Sequence, residues 1–126
     1  MSMLVYDAGA FIAVDRGERA MWTRIKAALS AEEQPVTSTA VVAQVWRGDA
    51  CSERLARLVG TVHAVPLTEP VARAVGTLLA RSGTSDVVNA ALILTATDGD
   101  MIYTSDPEDL AHLAATRNLH VEIVPV

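Results

Sequence analysis

The sequence predicts an α/β sandwich on a mainly parallel sheet, and three observations predict it. Short apolar runs at 3–6, 36–37, 61–65, 101–104 and 121–124 have strand character. Helical segments separate each run from the next, which is the alternation a parallel sheet requires. The chain of 126 residues is 51% hydrophobic, enough for one core and too apolar for disorder. No internal repeat, low-complexity tract or linker interrupts it, so 1–126 reads as a single domain.

The first apolar run ends in Asp7 and Gly9, as a buried strand feeding a turn or helix does, and 8–14 looks helical. A second helix over 19–29 carries Met21, Trp22, Ile25, Ala28 and Leu29 at near-helical spacing and stops before Gln34-Pro35. After the strand at 36–37, Ser38 or Thr39 can cap a helix over 40–47 that Gly48 ends. Ser52 opens a short helix through Leu58, ending at Gly60, and Pro66 closes the strand-like run 61–65. Thr68-Glu69-Pro70 starts the next helix in a cap-then-proline pattern, and Gly83 marks its end. Thr84 or Ser85 can cap a long apolar helix over 86–97. After the strand at 101–104, Asp106-Pro107-Glu108-Asp109 begins a last helix that ends near Asn118, before the strand at 121–124.

Composition excludes several classes. No apolar run approaches the ~18 residues needed to span a bilayer. The start, Met1-Ser2-Met3-Leu4-Val5-Tyr6-Asp7, lacks the basic and long apolar stretches of a signal peptide. Cys51 is the one cysteine, so an internal disulfide and a cysteine zinc cluster are both excluded. A soluble, cytoplasmic protein is expected. Net charge is −5, which argues against a general nucleic-acid binder, but the distribution is uneven. Residues 86–109 hold six acids and no basic residue, whereas 16–57 hold seven basic residues against five acids. Clustered carboxylates repel one another unless protonated or occupied by a cation. The plain alternative is a solvated acidic surface.

In open parallel sheets, ligands bind beyond the carboxyl ends of the strands. Asp7 directly follows the first strand, and Asp106 follows the fourth after one serine. Asp86 opens its helix, with Asn89 three residues on along the same face. Three acids from distant positions are thus expected at one edge. Magnesium takes oxygen ligands and keeps several waters, so a few carboxylates suffice to hold it. A metal so held activates water and stabilises charge on a phosphodiester. Each acid also has an ordinary reading. Asp106-Pro107-Glu108-Asp109 is a well-formed helix start, and Asp106 alone reads first as a cap. Asp86 in a first turn is equally ordinary. Asp7 is harder to dismiss, because an acid at the end of a buried strand must find partners or solvent.

Three segments carry a family resemblance. They are Leu4-Val5-Tyr6-Asp7-Ala8-Gly9-Ala10-Phe11-Ile12-Ala13, Ser85-Asp86-Val87-Val88-Asn89-Ala90-Ala91 and Tyr103-Thr104-Ser105-Asp106-Pro107-Glu108-Asp109-Leu110. They resemble the three aspartate motifs of PIN domains, and more narrowly those of VapC-type toxins of bacterial toxin–antitoxin systems. The resemblance covers nearly the whole chain in length, element order and motif spacing. It implies a PIN-domain-like three-layer sandwich and an endoribonuclease dependent on Mg²⁺ or Mn²⁺. Asp7, Asp86 and Asp106 would be its catalytic, metal-binding residues. It further implies an RNA substrate, a homodimer, and a cognate antitoxin seated in a groove beside the active site.

The chain departs from that pattern twice. Gln44, in Val41-Val42-Ala43-Gln44-Val45-Trp46-Arg47-Gly48, matches a position usually held by glutamate. Glutamine keeps a carbonyl oxygen but loses the charge, so it is a weak ligand and no general base. Many relatives also carry an acid where this chain has Asn89. Gln44, Asn89, Ser105 and Asp109 are therefore outer-shell candidates. Arg47, on the helix of Gln44, is the favoured RNA backbone contact, with a solvated arginine as the plain alternative. The competing function is a catalytically weak module of the same fold whose task is to pair with an antitoxin or regulator.

Other residues are set aside. His63, His112 and His120 lack ligand spacing, and Cys51 has no base nearby in sequence. Ser38, Thr104 and Ser105 offer hydroxyls to a phosphate, but capping and strand-end roles serve them as well. Trp22 and Trp46 on apolar helix faces are expected in the core, and an exposed tryptophan there would instead mark an anchor for a partner. A receiver-like domain would need paired acids after the first strand and a late lysine, but the only lysine is Lys26. A phosphatase of the haloacid dehalogenase type would need an acid where Gly9 stands.

Overall fold

In the computed structural model, which describes residues 3–126, five strands form one sheet. They are β1 (Leu4–Tyr6), β2 (Val36–Ser38), β3 (His63–Val65), β4 (Met101–Thr104) and β5 (Glu122–Pro125), in the order β3-β2-β1-β4-β5. Every pairing is parallel, so the predicted sheet is present and parallel throughout. Met1 and Ser2, with which the reading of the chain's start began, lie outside the described residues.

Among the described residues seven helices flank the sheet: α1 (Ala8–Asp15), α2 (Arg19–Ser30), α3 (Thr39–Val45), α4 (Glu53–Thr61), α5 (Glu69–Ser82), α6 (Val87–Thr95) and α7 (Pro107–Thr116). Among the described residues no helix is long and apolar enough to cross a membrane. Apolar spacing explains the helices that line the outside. α2 buries Met21, Ile25 and Ala28, α4 buries Leu55 and Leu58, and α5 buries Val75 and Leu78, each set one turn apart along a single face. α6 is different. Five consecutive residues from Asn89 to Ile93 are buried, so it is a core helix packed on several sides. Phe11, Leu92, Ile93 and Ile102 are fully enclosed at the centre. Burying side chains of this size contributes roughly 1.5–3 kcal/mol each.

Helix starts obey the expected chemistry with one shift. Ser38, Ser52 and Thr68 cap α3, α4 and α5 through their hydroxyls. Gly83 ends α5 in the left-handed region at φ 69°, where a side chain would be strained. The cap of α6 is Asp86 rather than Thr84 or Ser85. α3 stops at Val45 instead of reaching 47, because Trp46 turns extended (ψ 131°) and Gly48–Ala50 form a separate 3-10 turn. α4 runs through Gly60 to Thr61, which leaves β3 to begin at His63. α6 ends at Thr95 and α7 at Thr116, two residues short of the expected ends at 97 and 118, and β5 lies one residue later than the apolar run.

The order places β1 at the centre, with β2 and β3 on one side and β4 and β5 on the other. The chain's direction of travel reverses between β1 and β4. That is a topological switch point, where the carboxyl ends of the strands open a crevice. Tyr6 pairs with Tyr103 in register, so the residues just after both strands emerge side by side.

Candidate active site

Asp7 continues the β1 ladder by one residue, its N–H donating to the Tyr103 carbonyl at 2.9 Å. Its side chain is only 2% exposed. Oδ1 accepts from the Ala8 N–H at 2.7 Å, which caps α1, and Oδ2 accepts from the Thr104 hydroxyl at 2.5 Å. The partners required of a buried acid are therefore both present. The same Thr104 oxygen accepts the N–H of Asp106 at 2.9 Å. Fully buried Thr104 thus ties the carboxylate after β1 to the backbone after β4.

Gly9 explains why these two chain ends can lie so close. A Cβ there would come within 2.7–2.9 Å of the Oγ, N and Cβ of Ser105. Only glycine lets the first turn of α1 pack on the loop that carries Asp106.

Asp106 occupies the cap position of α7, yet its side chain makes no capping bond, which corrects its reading as a cap. The backbone gives the reason. Its ψ is 58°, whereas the five residues that do cap through their side chains have ψ between 101° and 174°. Held by Thr104, the backbone leaves the exposed carboxylate without a bond to the helix N–H groups. Asp86, by contrast, is the cap of α6, with Oδ1 accepting the Asn89 N–H at 3.0 Å.

Asp86 and Asp106 act on Asp7 electrostatically. Burial pushes the Asp7 carboxyl above its ordinary value, and the charges of Asp106 and Asp86 push in the same direction. The bonds from Thr104 and Ala8 act against that rise. No basic side chain offsets it: among the described residues the ion pairs are Arg57–Glu53 and Arg73–Glu69, both exposed and within single helices. Nor do three histidine, cysteine or acidic side chains among the described residues stand grouped closely enough to hold a metal ion.

Asp109 joins the two sides of the crevice. With Thr84, Ser85, Asp86, Asn89 and Leu113 it lines a cleft of about 230 Å³. With Ser105, Asp106, Pro107 and Glu108 it lines a second concavity of about 310 Å³. Asn89 and Asp109 thereby line a cleft with Asp86, and Ser105 and Asp109 one with Asp106. Gln44 is exposed on α3, whose buried residues are Val41 and Val45, and no hydrogen bond links it to the acids. Arg47 is also exposed, and its guanidinium folds back onto the carbonyls of Trp46 and Ala43 at 2.6 and 3.4 Å.

The run of six acids proves to be two groups. Asp98 and Asp100 sit at the amino end of β4. Asp98 accepts the His120 N–H, and buried Asp100 accepts the N–H groups of Met3 and Thr97. Their place in the run concealed that role. An acid directly before a buried strand signals a partner just as one directly after it does. Trp22 is half-buried against the core, with the Lys26 ammonium 5.7 Å from its ring. Trp46 is 43% exposed, against the expected core position, because it has left the helix. Ser38 spends its hydroxyl on the α3 cap, and His112 meets the Ser82 carbonyl at 2.8 Å.

A parallel five-stranded sheet flanked by seven helices, with its crevice at the β1/β4 switch, is a PIN-like fold. No family model and no curated protein matches the sequence. Among solved structures, the crystal structure of VapBC2 from Rickettsia felis bound to a DNA fragment from their promoter contains a similar chain. The match covers 97% of this chain and 98% of that one, with a TM-score of 0.66 at 12% identity. At that identity the likeness speaks for the fold.

Proposed function

We propose that the protein is a metal-dependent endoribonuclease toxin of the VapC type, cytoplasmic, homodimeric and neutralised by a cognate antitoxin. The observation that carries this reading is Asp7. It is a buried carboxylate at the switch point of a PIN-like sheet, pushed up by the charges of two further acids and in ion pair with no basic side chain. Structural likeness to a chain of a VapBC2 complex supports the pairing with an antitoxin.

Hard oxygen donors suit Mg²⁺ or Mn²⁺, and a cation would relieve the cost of charging Asp7 between its neighbours. Asp7, Asp86 and Asp106 would hold it, although the three side chains do not form a ready three-ligand cluster. Such an ion, when bound, supplies charge stabilisation and an activated water at an RNA phosphodiester. The chain's own residues supply position. Thr104 and the Ala8 N–H fix the Asp7 carboxylate, and the Thr104 bond to the Asp106 N–H leaves the Asp106 side chain free to face a ligand.

The second reading, a catalytically weak binding module, is favoured by uncharged, exposed Gln44 and by the missing three-ligand cluster. Cleavage of a mixed RNA pool separates the two. The nuclease reading expects cutting with Mn²⁺ or Mg²⁺, none in EDTA, and a loss of ~100-fold or more in Asp106→Asn. That substitution removes an exposed group with no side-chain bond, so folding is preserved. Absence of cutting with either metal, from folded protein free of antitoxin, would establish the binding module instead.

A further inference from the structure

One buried polar side chain in the crevice is left without a protein partner. Asn89 is 4% exposed and is followed in α6 by four buried apolar residues. Its N–H is held by Asp86, but its carboxamide makes no hydrogen bond to any described residue. Among the described residues no side-chain nitrogen or oxygen is both sealed from solvent and unbonded. The carboxamide therefore opens onto the cleft it lines with Asp86 and Asp109. Its polar atoms are reached only through that opening, so their hydrogen-bonding partner, water or ligand, must enter the cleft.

We propose that the cleft receives one nucleobase of the RNA and selects guanine. This rests on the reading of RNA as substrate and names the part of it that is recognised. About 230 Å³ is below the ~300–1,000 Å³ of pockets for drug-sized ligands, which suits a single ring system. Asp109, which is not among the proposed metal ligands, leaves a negative charge in the lining that disfavours phosphate, so the occupant is a base and not the backbone. Ionised carboxylates only accept hydrogen bonds, and a carboxylate presents two acceptors side by side. Guanine is the RNA base whose pairing edge offers two adjacent donors, N1–H and the exocyclic amine. Its O6 then meets the amino group of Asn89. Adenine and cytosine place a ring-nitrogen acceptor beside their amine, and uracil flanks its one N–H with carbonyls, so each sets an acceptor against a carboxylate. Leu113 supplies an apolar wall for the ring.

Neutral nucleosides in EDTA test this without metal or cleavage. The readout is the Asn89 side-chain amide in NMR spectra, assigned through Asn89→Ala. Guanosine is expected to shift it at concentrations ~10-fold lower than adenosine, cytidine or uridine, and inosine, which lacks the exocyclic amine, to be weakened similarly. Asp109→Asn, an exposed change that keeps the fold, is expected to erase the preference for guanosine. Equal response to all nucleosides, no response to any, or a shift with Mg²⁺ but none with guanosine would each overturn the assignment. Because the readout uses neither metal nor turnover, its failure leaves the nuclease reading standing. Selective binding by a protein that cuts no RNA would overturn the nuclease alone.

Discussion

Asp7 and Asp100 are both buried acids, at opposite ends of the same pair of strands, and they are held in different ways. Asp100 accepts from Met3 N–H at 2.8 Å, Thr97 N–H at 2.8 Å and the Thr97 hydroxyl at 3.2 Å. It closes the turn before β4 onto the start of β1. Asp7 accepts two bonds, and its carboxyl is pushed up by burial and by two neighbouring acids. The first arrangement spends a charge on holding the fold together. The second maintains a charge against its environment, as functional sites do.

Removal of Asp100 should separate the two ends of the sheet most visibly. Asp100→Ala orphans two backbone N–H groups and is expected to lower unfolding free energy by ~2–4 kcal/mol. Denaturant unfolding measures that loss, while any RNA cleavage by the folded fraction should be unchanged. Lost cleavage with intact stability would erase the distinction between the two ends. Thr104→Val comes next. It removes the bond to Asp7 and the acceptor for the Asp106 N–H, for an expected cost of ~1–3 kcal/mol together with reduced cleavage. Thr104→Ser keeps the hydroxyl and should restore both, and a serine variant as impaired as the valine would show that the methyl group mattered instead.

A smaller effect concerns pH. The folded-state pKa of Asp7 is raised, so the folded protein binds more protons than the unfolded chain between the two values. Stability is therefore lost as pH rises from the ordinary carboxylate range through the raised value. Asp7→Asn carries no such penalty. In EDTA its stability relative to the parent should improve as pH rises from the ordinary carboxylate range, as followed by thermal unfolding. A relative stability that falls over that range would mean that Asp7 is favoured in its charged form.

Much of this was legible in the sequence. Apolar runs located all five strands, and Asp7 and Asp106 fall at the carboxyl edge because each follows a buried strand. What escaped depends on contacts distant in sequence. Asp-Pro-Glu-Asp has the form of a capped helix start, and only the Thr104 bond shows why Asp106 does not cap. Asp98 and Asp100 looked continuous with Asp106 because strand β4 carries the chain from one end of the sheet to the other. Gly9 served to exclude a phosphatase, but its approach to Ser105, nearly a hundred residues away, needs the folded chain. Trp46 lies outside the core because α3 ends one residue before it.

The proposed cation site lies at the carboxyl end of the sheet and not at the amino end. Calorimetric titration of Mn²⁺ into the parent, Asp106→Asn and Asp98→Asn proteins tests it most directly. Both substitutions fall on exposed residues, one at each end. The account predicts a binding event that is kept in Asp98→Asn and lost in Asp106→Asn. Binding unchanged by Asp106→Asn, or absent from the parent protein, would contradict it.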